Sequence, residues 1–360
     1  MISFAILGSA FVFCYAILSM LIVLAPRIGL VDHPGGRKHH RKQTPLVGGL
    51  AIAITLLFAL VILRPTVAVP MIIAVSILLV VGVADDLVEV SPLPKLILQA
   101  AACLVMYLMA HVELRTVGNL VGTGSIGLWW FSVPMTIVAV IGVINAVNMA
   151  DGMDGHAGMV GAIAFAAFAF VARASGLWGQ YLVLLILLGA TCAFLMMNFR
   201  SPFLREARTF LGDTGSMLLG LMVAWFAIDL TQGPGRTFPA ICALWVVILP
   251  LCDCVSLMIR RKRAKGSMFV ADRQHLHHYL LNRGLSVSQA SYVAALLHAA
   301  CAAVGVLAWK IGVPEWIMFA AFIVLFVAYH INMTNAFKSM PQGVPTTALG
   351  PDSGQFTQTR

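Results

Sequence analysis

Apolar segments of about 20 residues recur along almost the whole chain, and no other feature limits its fold as strongly. Hydrophobic residues make up 60% of the 360 residues and charged residues only 10%. A helix of about 20 apolar residues crosses the hydrocarbon core of a bilayer and satisfies its own backbone hydrogen bonds there. These segments lack the alternation of a membrane β-barrel strand. We therefore predict an all-α fold, a polytopic integral membrane helical bundle of about eleven transmembrane helices.

The spans are placed by their apolar content, and the short segment 157–172 in particular is expected to be broken or tilted. They cover residues 2–24, 46–63, 67–84, 96–111, 128–148, 157–172, 178–197, 211–229, 237–258, 288–309 and 314–332. The first span begins without a basic leader, so we expect it to stay uncleaved. Residues 1–332 form a single transmembrane domain in this interpretation. Residues 333–360 lack periodicity and are expected to be a disordered cytoplasmic tail.

Basic residues are distributed unevenly between the two sides of this bundle. With the N-terminus outside, five of the 23 Lys and Arg residues lie in outward loops, and the others lie in inward loops and the tail. The five are Arg64, Arg115, Arg173, Arg236 and Lys310. Cytoplasmic loops carry such an excess, which orients the chain. The net charge of +9 then suits contact with anionic membrane lipids, and nucleic acid is not an expected partner.

Five polar clusters interrupt the apolar sequence, and the span count puts all of them on the cytoplasmic face. They are residues 32–49, 85–95, 145–155, 198–215 and 260–284. Polar groups at the ends of membrane segments are functional more often than structural. We therefore predict one site at the cytoplasmic end of the bundle, formed from all five clusters.

The cluster at 85–95 combines an acidic pair with a lysine. Asp85 and Asp86 end the third span, and Glu89 lies one helical turn further, so one of the pair shares a face with it. Carboxylates this close are costly unless a cation or a proton is shared. The pattern indicates a metal site or phosphate chemistry, with Lys95 attracting an anion. The alternative is a solvated loop beside the membrane.

Four polar residues recur every three positions at 145–155. On one unbroken helix Asn145, Asn148, Asp151 and Asp154 would spread around half the circumference and would not converge. The glycines at 152 and 155 suggest that the helix breaks and that the later carboxylates fold back beside the amides. The alternative is ordinary Asn-mediated helix packing followed by a turn.

The segment FLGDTGS at 210–216 opens the eighth span and follows the polar stretch that begins at Asn198. Asp213 lies between two glycines that would let a ligand approach the backbone, and a helix N-terminus favours a phosphate. A carboxylate there would repel the phosphate unless a divalent cation bridges them, which suggests a magnesium diphosphate. A plain N-cap aspartate explains the residue equally well. Phe210 could stack on a base or simply pack.

Histidines and cations dominate the remaining two clusters. His275, His277 and His278 lie beside Arg273, and we favour recognition of an anion over a zinc site because the loop is strongly cationic. The first inward loop carries Arg37, Lys38 and His40, followed by Gly48 and Gly49, which could approach a phosphate. The seven cysteines lie in apolar spans; Cys252 and Cys254 have the wrong spacing for a usual zinc or redox pair.

Together these motifs resemble the polyprenyl-phosphate N-acetylhexosamine-1-phosphate transferase superfamily. The matching residues are D-x-P-x-x-R-K-x-H at 32–40, PLVGG at 45–49, DD at 85–86, N-x-x-N-x-x-DG-x-DG at 145–155, FLGD-x-GS at 210–216 and DRQHLHH at 272–278. The DRQHLHH segment and the basic stretch between Asn198 and Asp213 are closer to the bacterial GlcNAc-1-phosphate branch than to the branch that uses UDP-MurNAc-pentapeptide. Glu89 departs from the family, which often has a third aspartate there.

The resemblance implies that UDP-GlcNAc and a polyprenyl phosphate, undecaprenyl phosphate in most bacteria, give polyprenyl-diphospho-GlcNAc and UMP. This would be the first membrane step of O-antigen, common-antigen or teichoic-acid-type polysaccharide synthesis, at the bacterial cytoplasmic (inner) membrane. It implies Mg²⁺, with Mn²⁺ as an alternative, held by Asp213 and Asp151. The implied catalytic residues are Asp85, Asp86, Asp151, Asp154 and Asp213. The implied substrate-binding residues are Arg37, Lys38, His40, Lys95, Asn145, Asn148, Asn198, Phe210, Arg273, His275, His277 and His278.

Several alternatives stay open at this point. The donor could be another UDP-HexNAc or UDP-MurNAc-pentapeptide, and a covalent aspartyl-phosphate route ranks below direct attack. A secondary transporter would also place charged groups in a bundle, but near the bilayer midplane and often within internal repeats. A non-catalytic scaffold would not need five aspartates on one face. A homodimer is a further expectation.

Overall fold

The computed structural model describes residues 2–32, 43–200, 204, 206–233, 238–263 and 274–339. The helices in these ranges are α1 (Ile2–Ile28), α2 (Gly48–Leu63), α3 (Ala68–Val88), α4 (Pro92–Ala110), α5 (Ser132–Ala150), α6 (His156–Ala174), α7 (Trp178–Asn198), α8 (Gly212–Asp229), α9 (Ala240–Val246), α10 (Ile248–Arg263), α11 (Leu276–Asn282), α12 (Val287–Ile311) and α13 (Glu315–Lys338). The strands are β1 (Val31–Asp32), β2 (Thr44–Pro45), β3 (Thr116–Gly118) and β4 (Ile126–Gly127), and a 3₁₀ turn covers Trp129–Phe131. Strand β1 pairs antiparallel with β2, and β3 with β4. The predicted all-α membrane bundle is confirmed over the described ranges.

The number of spans differs from the predicted eleven. Among the described residues, eight helices are long and apolar enough to cross a membrane, or nine if the bent pair α9 and α10 is one span. Each predicted segment does contain a helix or that bent pair. However, α2 has only 16 residues, which is short for a straight crossing. Helix α8 begins with polar residues and contains Asp213 and Asp229, so it is not apolar enough to be counted among these eight helices.

The predicted break lies in a different span from the one expected. Helix α6 is continuous from His156 to Ala174, so of the two alternatives for 157–172 the break is wrong, and the tilt stays a prediction. The break separates α9 from α10, which meet at an angle of 81°. Pro250 lies in the first turn of α10, where its missing N–H costs nothing. Its ring would clash with the carbonyl of Val246, four residues earlier, and α9 ends at that residue.

Helix α8 occupies the centre of the bundle. Fifteen of its 18 residues are buried, and it packs against α2, α3, α5 and α6. A helix that is apolar on all sides is expected in such a position. The N-terminal end of α8 therefore lies among the ends of its neighbours, and the site forms there.

The two ends of the bundle differ in what they carry. At one end β2 lies beside the start of α8, because Phe210 N donates to Pro45 O at 2.8 Å. At the other end the β3–β4 pair contacts α13, where Asn119 N donates to Glu315 Oε2 at 2.8 Å. Helix α13 continues to Lys338, so it includes residues that the sequence analysis had assigned to the tail. Residues 340–360 lie outside the described ranges.

Candidate active site

The acidic pair at the end of α3 forms one wall of the site. Lys95, in the first turn of α4, places its Nζ 2.6 Å from Asp85 Oδ2. The Asp85 side chain is 3% exposed and that of Lys95 is 26% exposed. The Val90 amide donates to Asp85 Oδ1 at 2.7 Å. Because a buried charge requires a partner, Lys95 and the Val90 amide stabilise an ionised Asp85 at the turn between the two helices.

Asp86 caps the central helix. Its Oδ1 accepts from the Asp213 amide at 2.8 Å, and its Oδ2 accepts from the Thr214 amide at 3.2 Å and from Thr214 Oγ1 at 2.7 Å. A carboxylate is stabilised at a helix N-terminus by the exposed amides there. The backbone amides at the start of α8, which were predicted to bind a substrate phosphate, thus donate to Asp86. Asp213 does not cap the helix itself, and its carboxylate is left for another partner.

Glu89 does not share a helical face with the acidic pair. Helix α3 ends at Val88, and Glu89 caps it with φ of 51° while its amide donates to Asp85 O at 3.0 Å. The side chain of Glu89 is exposed. The prediction that Glu89 shares a helical face with the acidic pair is wrong, because α3 ends before Glu89. Glu89 does not join the carboxylates of the site.

Asp213 is the point at which three motifs meet. Asn148 Nδ2 donates to Asp213 Oδ1 and, at 2.8 Å, to Ser216 Oγ. The carboxyl groups of Asp85 and Asp213 are neighbours, and the charge of Asp85 acts on Asp213. Two carboxylates can approach this closely only if a proton or a cation lies between them. Lys95 supplies one cation at Asp85, and the position of Asp213 favours a further proton or cation at this point.

Asp151 adds a further carboxylate to the same group. Helix α5 ends at Ala150, and Gly155, with φ of 80°, is the N-cap residue before α6, so the predicted break between Asn148 and Asp154 is confirmed. Burial raises the pKa of Asp151 well above its usual range, and the charges of Asp213, Asp86 and Asp154 raise it further. A bound cation would oppose these effects and favour the ionised form.

The carboxylates of the site suit Mg²⁺, but they can provide only a small number of its ligands. Carboxylate oxygens are the ligands that a hard cation prefers, and the neighbouring carboxyl groups of Asp85 and Asp213 favour a shared proton or cation. Among the described residues, no three acidic, histidine or cysteine side chains converge closely enough to hold a metal ion. Mg²⁺ is usually bound through one or two carboxylates together with substrate phosphates. The residues present fit a cation of that kind.

The glycines of the site lie against other parts of the protein, where the sequence had predicted room for a phosphate. A Cβ on Gly49 would lie 2.1 Å from Gly215 N. The amides of Gly48 and Gly49 donate to Phe210 O at 3.0 Å and Leu211 O at 2.9 Å. A Cβ on Gly212 would lie 2.6 Å from Asp86 Oδ2. These glycines let α2 and α3 pack tightly against the start of α8.

Two of the predicted substrate-binding amides connect parts of the protein instead. Asn145 Nδ2 donates to Gln99 Oε1 at 3.0 Å and to Ile141 O at 2.8 Å, as the alternative of Asn-mediated helix packing predicted. Asn198 Oδ1 accepts from the Gly155 amide at 2.5 Å, and its Nδ2 donates to Thr209 O at 2.8 Å. Asn198 is buried and joins the end of α7 to the turn between α5 and α6.

The histidine motif lies against that same turn. A Cβ on Gly152 would lie 2.5 Å from His277 Nε2, so the absence of a side chain at Gly152 leaves room for this ring. The His275 and His277 rings stack with centroids 5.4 Å apart, and His277 and His278 are 4.1 Å apart. His275 and His277 are buried, whereas His278 is half-buried. The structure thus brings His277 to the turn that carries the predicted carboxylates, at Gly152.

The protonation of His277 differs from that of a cationic anion-binding residue. Burial lowers the pKa of His277 well below its usual range, and the neighbouring His278, His275 and His156 lower it further. The imidazole is then neutral near pH 7. Any contact of His277 with an anion would be a neutral N–H donor contact, weaker than the charged contact implied by the cationic loop.

Other residues at this end were missed from the sequence. Arg200 forms an ion pair with Asp154, and His156 lies at a ring-centroid distance of 6.4 Å from His277. Asp253 Oδ2 is 2.8 Å from His275 Nδ1. Asp253, which lies between Cys252 and Cys254, was not predicted as a site residue. A carboxylate inside an apolar segment was the available signal.

Four predicted residues lie outside the described ranges: Arg37, Lys38, His40 and Arg273. Phe210 is half-buried beside β2, with both of its backbone groups hydrogen-bonded to neighbouring segments. Its stacking on a base therefore stays a prediction.

The sequence is similar to several characterised chains. The family model of glycosyl transferase family 4 matches residues 68–231. An undecaprenyl-phosphate alpha-N-acetylglucosaminyl 1-phosphate transferase of Pasteurella multocida (strain Pm70) is 34% identical over 335 residues, covering 91% of this chain and 92% of the relative. Relatives with the same name in Haemophilus influenzae and Escherichia coli (strain K12) are each 33% identical, covering 91% and 92% of this chain and 93% and 90% of their own lengths.

Proposed function

The chain belongs to glycosyl transferase family 4, and from this we propose that it transfers GlcNAc-1-phosphate from UDP-GlcNAc to undecaprenyl phosphate. The products are undecaprenyl-diphospho-GlcNAc and UMP. The reaction begins a cell-envelope polysaccharide on its lipid carrier. Relatives bearing the name of this activity cover more than nine-tenths of the chain.

One structural observation supports the proposal most directly. Asp213 lies in the first turn of the central helix α8. There, at one end of the bundle, it meets Asn148 of α5 and the Asp85–Lys95 pair of α3 and α4. A transporter would have its charged groups near the bilayer midplane. Here they lie at helix ends, where a water-soluble nucleotide sugar and a lipid phosphate can meet.

The chemistry requires charge neutralisation more than covalent participation. An oxygen of the lipid phosphate attacks the β-phosphorus of UDP-GlcNAc, a new P–O bond forms, and the bond to the UMP oxygen breaks. A phosphate monoester has a second pKa of about 6 and is largely ionised at pH 7, so removal of a proton contributes little. Both reactants are anions, and positioned positive charge is the main catalytic requirement in phosphoryl transfer.

Lys95 is the proposed contact for the attacking phosphate. Its ammonium group is already held at Asp85, and about a quarter of the side chain is exposed. It can therefore remain paired with Asp85 while it meets an incoming anion. Asp85 would orient Lys95, and Asp86 would hold the start of α8, so neither is needed as a base.

Asp213, supported by Asp151, is the proposed holder of Mg²⁺, with Mn²⁺ as a substitute. The cation would neutralise the diphosphate and stabilise charge on the departing UMP. Without it, the close carboxyl groups of Asp85 and Asp213 would repel the donor. Asp154, held by Arg200, and the histidines at 275–278 would line the sugar-nucleotide side, and Phe210 would stack on uracil.

The site end is proposed to face the cytoplasm, where UDP-sugars are made. The excess of basic residues in the loops at that end supports this orientation. The membrane would then be the bacterial inner membrane, with the N-terminus outside. A homodimer stays a prediction.

The test is a direct assay of the purified protein in detergent with UDP-GlcNAc, undecaprenyl phosphate and Mg²⁺. UMP and the lipid product should appear in equal amounts, and EDTA should stop both until Mg²⁺ is restored. UMP release that continues in excess EDTA would refute the proposed dependence on Mg²⁺. Turnover only with a different UDP-HexNAc would keep the chemistry and change the donor. Inactivity with every UDP-sugar, from protein that elutes as a folded species, would refute the transferase.

A further inference from the structure

Asp253 lies inside the apolar sequence of α10, where a carboxylate is costly unless it is fully bonded. It accepts three hydrogen bonds: from His275 Nδ1 at 2.8 Å, from the Leu276 amide at 3.1 Å and from Tyr329 Oη at 2.7 Å. These donors belong to the histidine segment and to α13. A single buried carboxylate therefore joins α10, α11 and α13.

The three bonds are divided between the two oxygens. Leu276 N and Tyr329 Oη both donate to Oδ1, whereas His275 Nδ1 faces Oδ2. An ionised carboxylate can only accept, so His275 must carry a proton on Nδ1. In the neutral ring, the other nitrogen, Nε2, is then left as an acceptor. Oδ1 has an anchoring role, and Oδ2 fixes the tautomer.

The rest of α10 supports the same segment. Arg260 Nη2 donates to Gln274 O. Arg260 Nη1 donates to Ser256 Oγ at 2.8 Å. Asp253, Ser256 and Arg260 are spaced i, i+3 and i+7, so they lie on one face of the helix. The chain is thus held at three successive residues, 274 to 276, immediately before the rings that stack towards Gly152.

We propose that Asp253 is a positioning residue for the reaction: it sets the tautomer of His275 and thereby orients the histidine motif against the turn at 151–155. The inference rests on the proposed function, since that turn is where the donor would bind. Asp253 does not touch a reacting atom in this proposal and acts through His275, whose ring stacks on that of His277, with the tilted ring of His278 beside them.

Asp253→Asn separates the two roles of the carboxylate. The amide oxygen can retain both bonds made to Oδ1, so the anchor stays. The amide NH₂ now faces His275 Nδ1, which must become an acceptor, and the proton moves to Nε2. Tyr329→Phe makes the complementary change, removing one anchoring bond and leaving the Oδ2–His275 contact. Asp229→Asn, at the far end of α8, controls for the loss of a membrane carboxylate.

Asp253→Asn should lower kcat/KM for UDP-GlcNAc by about 10- to 100-fold, the usual effect of losing a carboxylate that orients a functional histidine. The KM for undecaprenyl phosphate and the thermal stability in detergent should change little. Tyr329→Phe and Asp229→Asn should keep near-normal kcat/KM. An active Asp253→Asn protein, or a Tyr329→Phe protein impaired as much as Asp253→Asn, would reduce Asp253 to an anchor and overturn the proposal.

A second measurement does not depend on turnover. Protein labelled with ¹⁵N-histidine at alkaline pH should show His275 protonated on Nδ1, with the signal assigned by its loss in His275→Gln. Asp253→Asn should move that proton to Nε2. An unchanged tautomer would refute the pairing even in an active enzyme. If the parent protein released no UMP, the proposed function would fail while this spectrum still decided the pairing of Asp253 with His275.

Discussion

Three carboxylates at the centre of the site differ in how they are compensated. Asp85 is paired with Lys95, and Asp86 accepts three hydrogen bonds from the start of α8. Asp213 accepts from Asn148 and faces the carboxyl group of Asp85. Among the described contacts, Asp213 has neither an ion pair like that of Asp85 nor as many donors as Asp86. This is why Asp213 is the residue most dependent on a cation from outside the chain.

Asp213→Asn should therefore reduce UMP release by more than about 100-fold, since loss of a direct metal ligand should exceed the effect of losing an orienting group. The protein should remain as stable as its parent in a thermal unfolding assay, because the substitution removes a repulsive contact with Asp85. Asp229→Asn, on the same helix, should keep activity. Near-normal turnover by Asp213→Asn would exclude Asp213 as the metal ligand.

Lys95→Met tests the contact for the lipid phosphate. The KM for undecaprenyl phosphate should rise about 10-fold, while that for UDP-GlcNAc changes less, because a single charged contact is worth about 1–2 kcal/mol. The variant should also be less stable by about 1–3 kcal/mol, since Asp85 is left buried without its cation.

The double variant Asp85→Asn with Lys95→Met separates these two effects. It leaves no unpaired charge and should regain much of the lost stability without regaining the affinity for the lipid. Equal effects of Lys95→Met on the KM of both substrates would contradict the assignment of Lys95 to the acceptor.

At the level of the helices, the site depends on where each element ends. Helix α3 ends at Val88, α5 at Ala150, and α8 begins at Gly212. The glycines at 49 and 215 then allow the starts of α2 and α8 to touch through their backbones. Carboxylates placed at helix ends can meet in this way without crossing the apolar core.

Gly49→Ala should disrupt that arrangement. Its Cβ would lie 2.1 Å from Gly215 N and 2.2 Å from Gly215 Cα, and backbone cannot move aside as a side chain can. We expect a loss of about 1–3 kcal/mol of stability, as is usual for overpacking, together with a fall in UMP release. Gly142→Ala in α5, whose Cβ meets nothing within 4 Å, is the matched control and should be neutral or slightly stabilising. A Gly49→Ala protein as stable as Gly142→Ala would show that the contact is dispensable.

On the scale of the whole molecule, the two ends of the bundle serve different purposes. One end gathers the acidic and histidine motifs, and the other carries the β3–β4 pair fastened to α13 through Glu315. Little of helix α13 is buried, and it packs on the bundle through one apolar side that includes Met318, Phe322 and Phe326. It nevertheless reaches the site end, where Tyr329 bonds to Asp253.

Cysteine labelling in intact cells should establish the orientation. Thr123→Cys, in the exposed β3–β4 loop, should react with a membrane-impermeant maleimide. Ser91→Cys, exposed beside Lys95, should react only after the membrane is permeabilised. The parent protein, whose seven cysteines are buried or half-buried, controls for background. Labelling of Ser91→Cys in intact cells would reverse the proposed topology.

The sequence alone determined the class of fold, the position of each apolar helix and the gathering of the polar clusters at one end. These follow from hydropathy and from local breaks such as Gly155, and both act over a few residues. Only the tertiary structure decided which partner each polar residue takes. The contacts of Asp86 with Thr214, and of Asp253 with His275 and Tyr329, join residues far apart in sequence. Such pairings depend on how the helices pack, because a carboxylate inside the bundle bonds to whichever donors the neighbouring helices bring to it.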